Sequence, residues 1–336
     1  MVTVYDIAKK TRLSPATVSK ALNNYYGVKK ETYDLVLSTA LEMGYTPNIA
    51  ARSLTTKKTW LVGVLFSEEV STGIMHWFYG TILSSAQSRL ADAGYDVVFI
   101  SNNVGGNHLS YIDHCNRRGL EGLIVAASEP HTEAVKCILE NDIKMVSVET
   151  PYENKYSVIS NNKSGTIDAL NYLYSLDHER IAYISGPFNT VAGRERNSAY
   201  EEFMISKGLY FYKDYIEESR VYDIDEAYNA TKRLFERCKI NPTAIFVGFG
   251  EASIGVMNYL NDNNFKVPDD ISVVGFDDTD ATVAMGITTI KQDREKIGTV
   301  AAEILIDQIE EKEIYHPFDN RIKTAFVERN SCKKLL

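Results

Sequence analysis

Thr3–Asn24, TVYDIAKKTRLSPATVSKALNN, and Tyr45–Leu54, YTPNIAARSL, frame a third amphipathic run and together decide how the first part of the chain folds. Ser14 can cap a helix through its side-chain oxygen, and Pro15 suits the first helical position, where no backbone donor is needed. From Pro15 onward Val18, Ala21 and Leu22 fall on one face, leaving Ala16, Ser19, Lys20 and Asn23 on the other. Val4, Ile7 and Ala8 supply the inward face of a preceding helix, and Leu13 fills the turn. The third run repeats Tyr33, Val36, Leu37, Ala40 and Leu41 and stops at Gly44. A small, polar outer stripe on the second helix lets it approach base edges in a major groove, with Lys20 and Asn23 long enough to bond there or at phosphates.

The plain alternative is a three-helix bundle used for protein contacts. Charge argues against it: residues 1–60 carry nine Lys/Arg and four Asp/Glu, net +5, while the rest carries 27 basic and 41 acidic residues, net −14. A basic head on an acidic body suits phosphate binding at one end only.

At 336 residues with 44% hydrophobic content, the chain is long enough for two or three folding units. No run approaches the roughly 18 apolar residues of a membrane span, and Asp6 with a charged helix stands where a secretory segment would lie. A cytoplasmic protein with no membrane partner is expected. Cysteines 115, 137, 238 and 332 show no CxxC pairing, which fits reduced thiols. His108, His114 and Cys115 lack a fourth ligand at a recognised spacing, so no metal site is expected, and no cofactor. P-loop, GxSxG and HExxH patterns are absent.

After the linker TTKKT (55–59), short apolar runs alternate with helical patterns: WLVGVLF (60–66), YDVVFIS (95–101), GLIVAAS (122–128), KMVSVET (144–150), RIAYISG (180–186), TAIFVGF (243–249) and ISVVGF (271–276). Continuous apolarity marks parallel strands covered by helices on both faces. The alternation predicts α/β lobes with doubly wound parallel sheets of five or six strands each, whose ligands lie beyond the carboxyl ends of the strands.

Val2–Asn24 followed by GYTPNIAARSL (44–54) resembles the head of the lac repressor family of bacterial transcription regulators. The resemblance continues through HERIAYISGPFNTVAGRERNSAYEEF (178–203), ISVVGFDDTDATVAMGITTIKQD (271–293) and FVERNSC (326–332), where it is to an effector-binding body similar to periplasmic sugar-binding proteins. It implies an all-α helix-turn-helix head (1–45), a hinge helix and linker (46–59), and two lobes, 60–161 with 290–320 and 162–289 with 321–336. Carried over by position, Tyr5, Ser14, Pro15, Ala16, Thr17, Ser19, Lys20 and Asn23 face an outer operator half-site. Asn48, Ala51, Arg52 and Leu54 face its centre, Leu54 as a wedge that costs unstacking energy recovered in a bent duplex.

In the body, the resemblance places Arg196 (in RNSAY, where RxxGF is usual) and Asp277 against effector, with Tyr222 and Asn161 beside them. A guanidinium and a carboxylate facing one cleft bind vicinal hydroxyls or a polar head group; the plain alternative is an Arg–Asp lock between helix and strand end. Ser67, at the end of the first strand, offers a hydroxyl. Trp77 and Phe78 begin the next helix near that rim, as ligand platform or as core. The chain departs from the family pattern at Phe249-Gly250, where Asn-Asp is usual, so Phe249 either stacks on a ligand ring or fills the pocket. EEVSTGIMHWFYG (68–80) replaces a usual aromatic pair, and Asp177 stands where glycine is usual before His178.

These readings predict a sequence-specific DNA-binding regulator, a repressor working as a homodimer or tetramer on a double-stranded, near-palindromic operator, and controlled by a small-molecule effector, a sugar or sugar derivative. A nucleoside- or purine-type co-repressor is the alternative ligand. A solute-capturing binding protein and an enzyme are the competing classes; the basic head opposes the first, and the lack of a nucleophile or metal motif the second.

Overall fold

The computed structural model describes residues 2–23, 26–45, 58–66, 75–104, 106–126, 133–209 and 213–335. Asn48, Ala51, Arg52, Leu54 and Ser67 lie outside the described residues. The chain divides into two compact units, Met1–Thr59 and Trp60–Leu336.

In the first unit, α1 (Val4–Thr11) opens on a reciprocal cap: Asp6 N donates to Thr3 Oγ1 at 3.3 Å and Thr3 N to Asp6 Oδ2 at 2.8 Å. It ends at Arg12, in the left-handed region at φ 58°. Helix α2 (Pro15–Leu22) starts at Ser14, whose hydroxyl accepts from Thr17 N at 3.1 Å, with Pro15 in the first turn. Helix α3 (Lys30–Glu42) runs to Gly44, which takes φ +65°. Ile7, Ala8, Val18, Ala21, Val36 and Ala40 form the core, with Leu13 and Tyr33 against it.

The inward stripe expected of α3 needs correction. Leu37 is 38% and Leu41 85% exposed. The core stripe is Tyr33, Val36, Ala40 and Met43; at about 100° per residue, Leu37 and Leu41 lie well off its centre.

The second unit holds two six-stranded sheets. The first, β13-β7-β6-β5-β1-β2, is parallel throughout and joins β1 (Leu61–Phe66), β2 (Asp96–Phe99), β5 (Gly122–Ala126), β6 (Met145–Val148), β7 (Tyr156–Ser160) and β13 (Asp319–Ile322). The second, β14-β12-β11-β10-β8-β9, joins β8 (Ile181–Ser185), β9 (Ile216–Glu218), β10 (Ala244–Val247), β11 (Ser272–Phe276), β12 (Thr288–Lys291) and β14 (Ala325–Val327), with only the β12–β14 pair antiparallel. A small ladder pairs β3 (Asn103–Val104) with β4 (Asn107–His108).

Both faces of each sheet are covered. Val62, Val64 and Ile124 enter one core of the first sheet while Leu65, Leu123 and Val125 enter the other. This is why those strands read as unbroken apolar runs. Helix Arg294–Ile309 packs on helix Trp77–Asp92 so closely that a Cβ at Gly298 would meet Ile82 O at 2.0 Å. The chain passes from one sheet to the other after β7, after β12 and between β13 and β14. Among the described residues no helix is long and apolar enough to cross a membrane and no group of side chains has metal-site geometry. All four cysteines are free, and burial pushes the Cys115, Cys238 and Cys332 thiols up to about 11.

Candidate functional site

Two groups of residues carry chemistry. On the first unit, Ser14, Pro15, Ala16 and Lys20 are exposed, Thr17, Ser19 and Asn23 are half-buried, and Tyr5 is 73% exposed. They line the outer side of α2 and the start of α1, while Val18 and Ala21 hold α2 to the core. Two of the polar members are tethered: Ser14 Oγ caps α2 and lies 2.8 Å from Thr17 Oγ1, and Asn23 Nδ2 donates to Ser19 O at 2.9 Å. Lys20 is the long side chain left reaching outward.

The second group sits at the carboxyl ends of strands from both sheets. After β11, Asp277 adopts φ +71° and is 5% exposed. Its Oδ2 accepts from Gly250 N at 3.0 Å, and its Oδ1 accepts from Gln292 Nε2, just past β12. Gly250 is required there, since a Cβ would lie 2.6 Å from Thr279 Cγ2 and 3.1 Å from Asp277 Cβ. Arg196, on helix Val191–Ser206 and 4% exposed, donates through Nε to Asn162 Oδ1 at 2.9 Å and through Nη1 to Gly248 O at 2.6 Å. Its guanidinium carbon lies 3.6 Å over the centre of the Phe276 ring.

The expected residues are thus brought together, but not in a direct lock. No ion pair joins Arg196 to Asp277 among the described residues; each is held by neutral partners. Asn161 does not reach Arg196. It caps helix Asn162–Ser175 by accepting from Ser164 N at 3.0 Å, and its fully buried neighbour Asn162 makes the contact. Phe249, 2% exposed, joins the core of the second sheet, with the Tyr222 ring edge-on at 4.9 Å. The ring is core, with no face left open. Tyr222 is 46% exposed, with its hydroxyl 2.9 Å from Thr190 Oγ1. Phe78 is core of the first sheet; Trp77 is half-buried at the helix start.

Sequence reasoning missed Glu149. It follows β6 with φ +59°, and its Oε1 accepts from Ser160 N at 2.8 Å and Ser160 Oγ at 3.0 Å. Burial pushes its carboxyl up to about 7, opposed by the Ser160 bonds and the Arg196 charge and helped by Asp277. Burial likewise raises the Tyr79 phenol, beside Glu149 and Tyr222, and the Tyr222 phenol, against the Thr190 bond. It lowers His76 despite the pull of Asp277. Tyr79 and Glu149 come from the first sheet's side and Arg196, Tyr222 and Asp277 from the second's. The signal that could have found Glu149 is its position directly after a buried apolar strand.

The arrangement brings the Glu149 and Asp277 carboxyls, the Arg196 guanidinium and the Tyr222 phenol together at the strand ends of the two sheets. Residues 3–48 match the family described as bacterial regulatory proteins, lacI family, and residues 170–332 match a periplasmic binding protein-like domain. The chain is 30% identical over 344 residues to an HTH-type transcriptional repressor PurR of Vibrio campbellii, covering all of both chains. It belongs to the lacI family of bacterial regulatory proteins. A second lacI-type relative, a probable HTH-type transcriptional repressor ExuR of Bacillus subtilis, is 29% identical over 342 residues, covering 100% of this chain and 99% of the relative. In fold, the chain is similar to a lac repressor dimer crystallised with operator and the anti-inducer ONPF, with a TM-score of 0.82 and 23% identity over 99% of each chain. LacI-family membership makes the chain a regulator of transcription rather than an enzyme.

Proposed function

We propose that the chain is a cytoplasmic repressor that binds a near-palindromic operator as a homodimer and loses or gains operator affinity when a small polar metabolite, a sugar or sugar derivative, enters the cleft. The observation that carries the DNA half is the outer face of α2: a helix fixed by Ser14 and Pro15, with Ala16 and Lys20 exposed on a net-basic head. Tyr5, Ser14, Pro15, Ala16, Thr17, Ser19, Lys20 and Asn23 read or position the half-site in this proposal, and Asn48, Ala51, Arg52 and Leu54 act at its centre. Small residues at 15 and 16 permit close approach and thymine-methyl contact, while Lys20 supplies charge.

The effector half rests on Arg196 and Asp277, both nearly buried and each bonded to neutral groups rather than to the other. Tyr222 offers an open ring face; Phe249, being buried, offers none. A ligand that bridges them biases the lobe arrangement, and operator and effector then alter each other's affinity by the same factor. The test is selection of duplexes from a random pool by the full-length protein, followed by a thermal-shift screen of the free protein against sugars, sugar phosphates, nucleosides and purines. Enrichment of a two-fold symmetric site and a stabilising sugar are expected. No enrichment removes the operator reading, and stabilisation by purines alone replaces the sugar.

A further inference from the structure

Trp77 and Glu251 touch across the two lobes. Trp77 is the first residue of helix Trp77–Asp92, which covers the first sheet, and Glu251 lies in the first turn of helix Gly250–Asp262, which covers the second. Both helices start just beyond the carboxyl ends of strands, on the cleft side. The indole Nε1 donates to Glu251 Oε1 at 2.5 Å. The indole is itself fixed from behind: the Arg294 guanidinium carbon lies 5.2 Å over its ring, Arg294 Nη1 donates to Trp77 O at 3.1 Å, and His76 stacks at 6.0 Å. Arg294 belongs to the first lobe's Arg294–Ile309 helix, so one lobe presents the N–H as a rigid unit and the other supplies the acceptor.

We propose that the Trp77–Glu251 bond is a latch that holds the two lobes together and so regulates entry to the cleft. This rests on the reading of the cleft as an effector site. A tryptophan N–H is a donor only and a half-buried carboxylate needs donors, so closure satisfies two groups at once, and opening hands both back to water. A hydrogen bond to a charged acceptor changes a two-state ratio on the order of tenfold, enough to shift the balance between joined and parted lobes. The carboxyl of Glu251 is raised by burial, with the Trp77 N–H pulling it back and Asp277 and Asp223 adding to the rise, in keeping with a charge partly withdrawn from solvent on closure.

The chain has two tryptophans, Trp60 and Trp77, so Trp60→Phe leaves Trp77 as the single indole reporter. In that full-length, ligand-free background, Glu251→Ala is expected to shift Trp77 emission to the red and to raise its acrylamide quenching constant about twofold or more, as the freed indole becomes accessible. Emission and quenching equal to the parent overturn the latch. If circular dichroism shows that Glu251→Ala does not fold, Glu251→Met, of similar length but without an acceptor, carries the same expectation and the same refutation. Neither measurement uses DNA or effector, so its failure leaves the operator reading standing, and failure of operator selection leaves the latch result unaffected.

Discussion

Asn162 Oδ1 accepts from Arg196 Nε at 2.9 Å while the same side chain's Nδ2 donates to Glu195 Oε2 at 2.9 Å. One fully buried amide therefore fixes the cleft guanidinium and ties it to a carboxylate that also meets Arg321 of the first sheet at 2.7 Å. Removing that amide strands a buried guanidinium donor. Asn162→Ala is expected to cost about 1–3 kcal/mol in urea unfolding. Asn161→Ala, which removes only a helix cap, is expected to cost about 1 kcal/mol. Equal losses at the two positions would show that the Arg196 contact adds nothing.

Glu149 makes the fold sensitive to pH in a stated direction. Its carboxyl is raised from the ordinary 4.5 to about 7, so the folded state binds the proton more tightly than the unfolded one. Its contribution is fully present below pH 4.5 and is lost as pH rises through about 7. Glu149→Gln keeps the shape and an acceptor for Ser160 and has no proton to lose. Its melting temperature relative to the parent is expected to climb between those two pH values and level off above. Parallel melting curves for the two proteins across that range would refute the assignment.

Asp277→Ala removes the acceptor for Gly250 N and Gln292 Nε2 at a left-handed position. It is expected to leave operator binding intact and abolish the response to effector, at a stability cost of about 1–3 kcal/mol. Asp277→Asn should be milder, because asparagine tolerates the left-handed backbone and Gln292 Oε1, now without a partner, can accept from the new amide after a flip. Anisotropy titrations of operator with and without the effector found by screening decide it. A normal response in the alanine variant takes Asp277 out of the ligand site.

Leu54→Ala is expected to weaken binding to the selected operator far more than binding to random duplex, since a wedge acts only on a docked site. Filter binding at one salt concentration with both duplexes checks this. Equal losses on the two would remove the wedge.

How far the sequence carried the reading depended on whether a signal was local. Ser14, Pro15 and Gly44 act on their own neighbourhoods, and the helices begin and end where they stand. The seven apolar runs became strands, most of them because burial on both faces leaves no polar alternation to confuse the pattern; β2, at the sheet edge with Asp96 and Phe99 exposed, is the exception. Strands β7, β12 and β13 escaped notice for the converse reason: their inward positions include Ser157, Ser160, Thr288, Thr289 and Asn320, polar groups whose burial depends on partners far along the chain. The misplacement of Leu37 and Leu41 has another root: apolar character outweighs angle in the sequence pattern, and both lie well off the centre of the stripe set by Tyr33, Val36, Ala40 and Met43. In the cleft, Arg196, Asp277 and Tyr222 could be found by position in a familiar pattern. Asn162 could not, since it owes its role to tertiary contacts with Arg196 and Glu195, and Glu149 showed only its place after a buried strand, its bond to Ser160 being tertiary as well.

Phe249, buried beneath the edge of Tyr222, gives the regulator a route to a new signal. Replacing that ring with a small residue leaves an apolar void on the order of 150 Å³, large enough for an aromatic guest. The fold loses some stability, and the void opens between Gly248, whose carbonyl bonds Arg196, and Gly250, whose N–H bonds Asp277. A guest of that size would sit beside both charged side chains by the emptying of one seat.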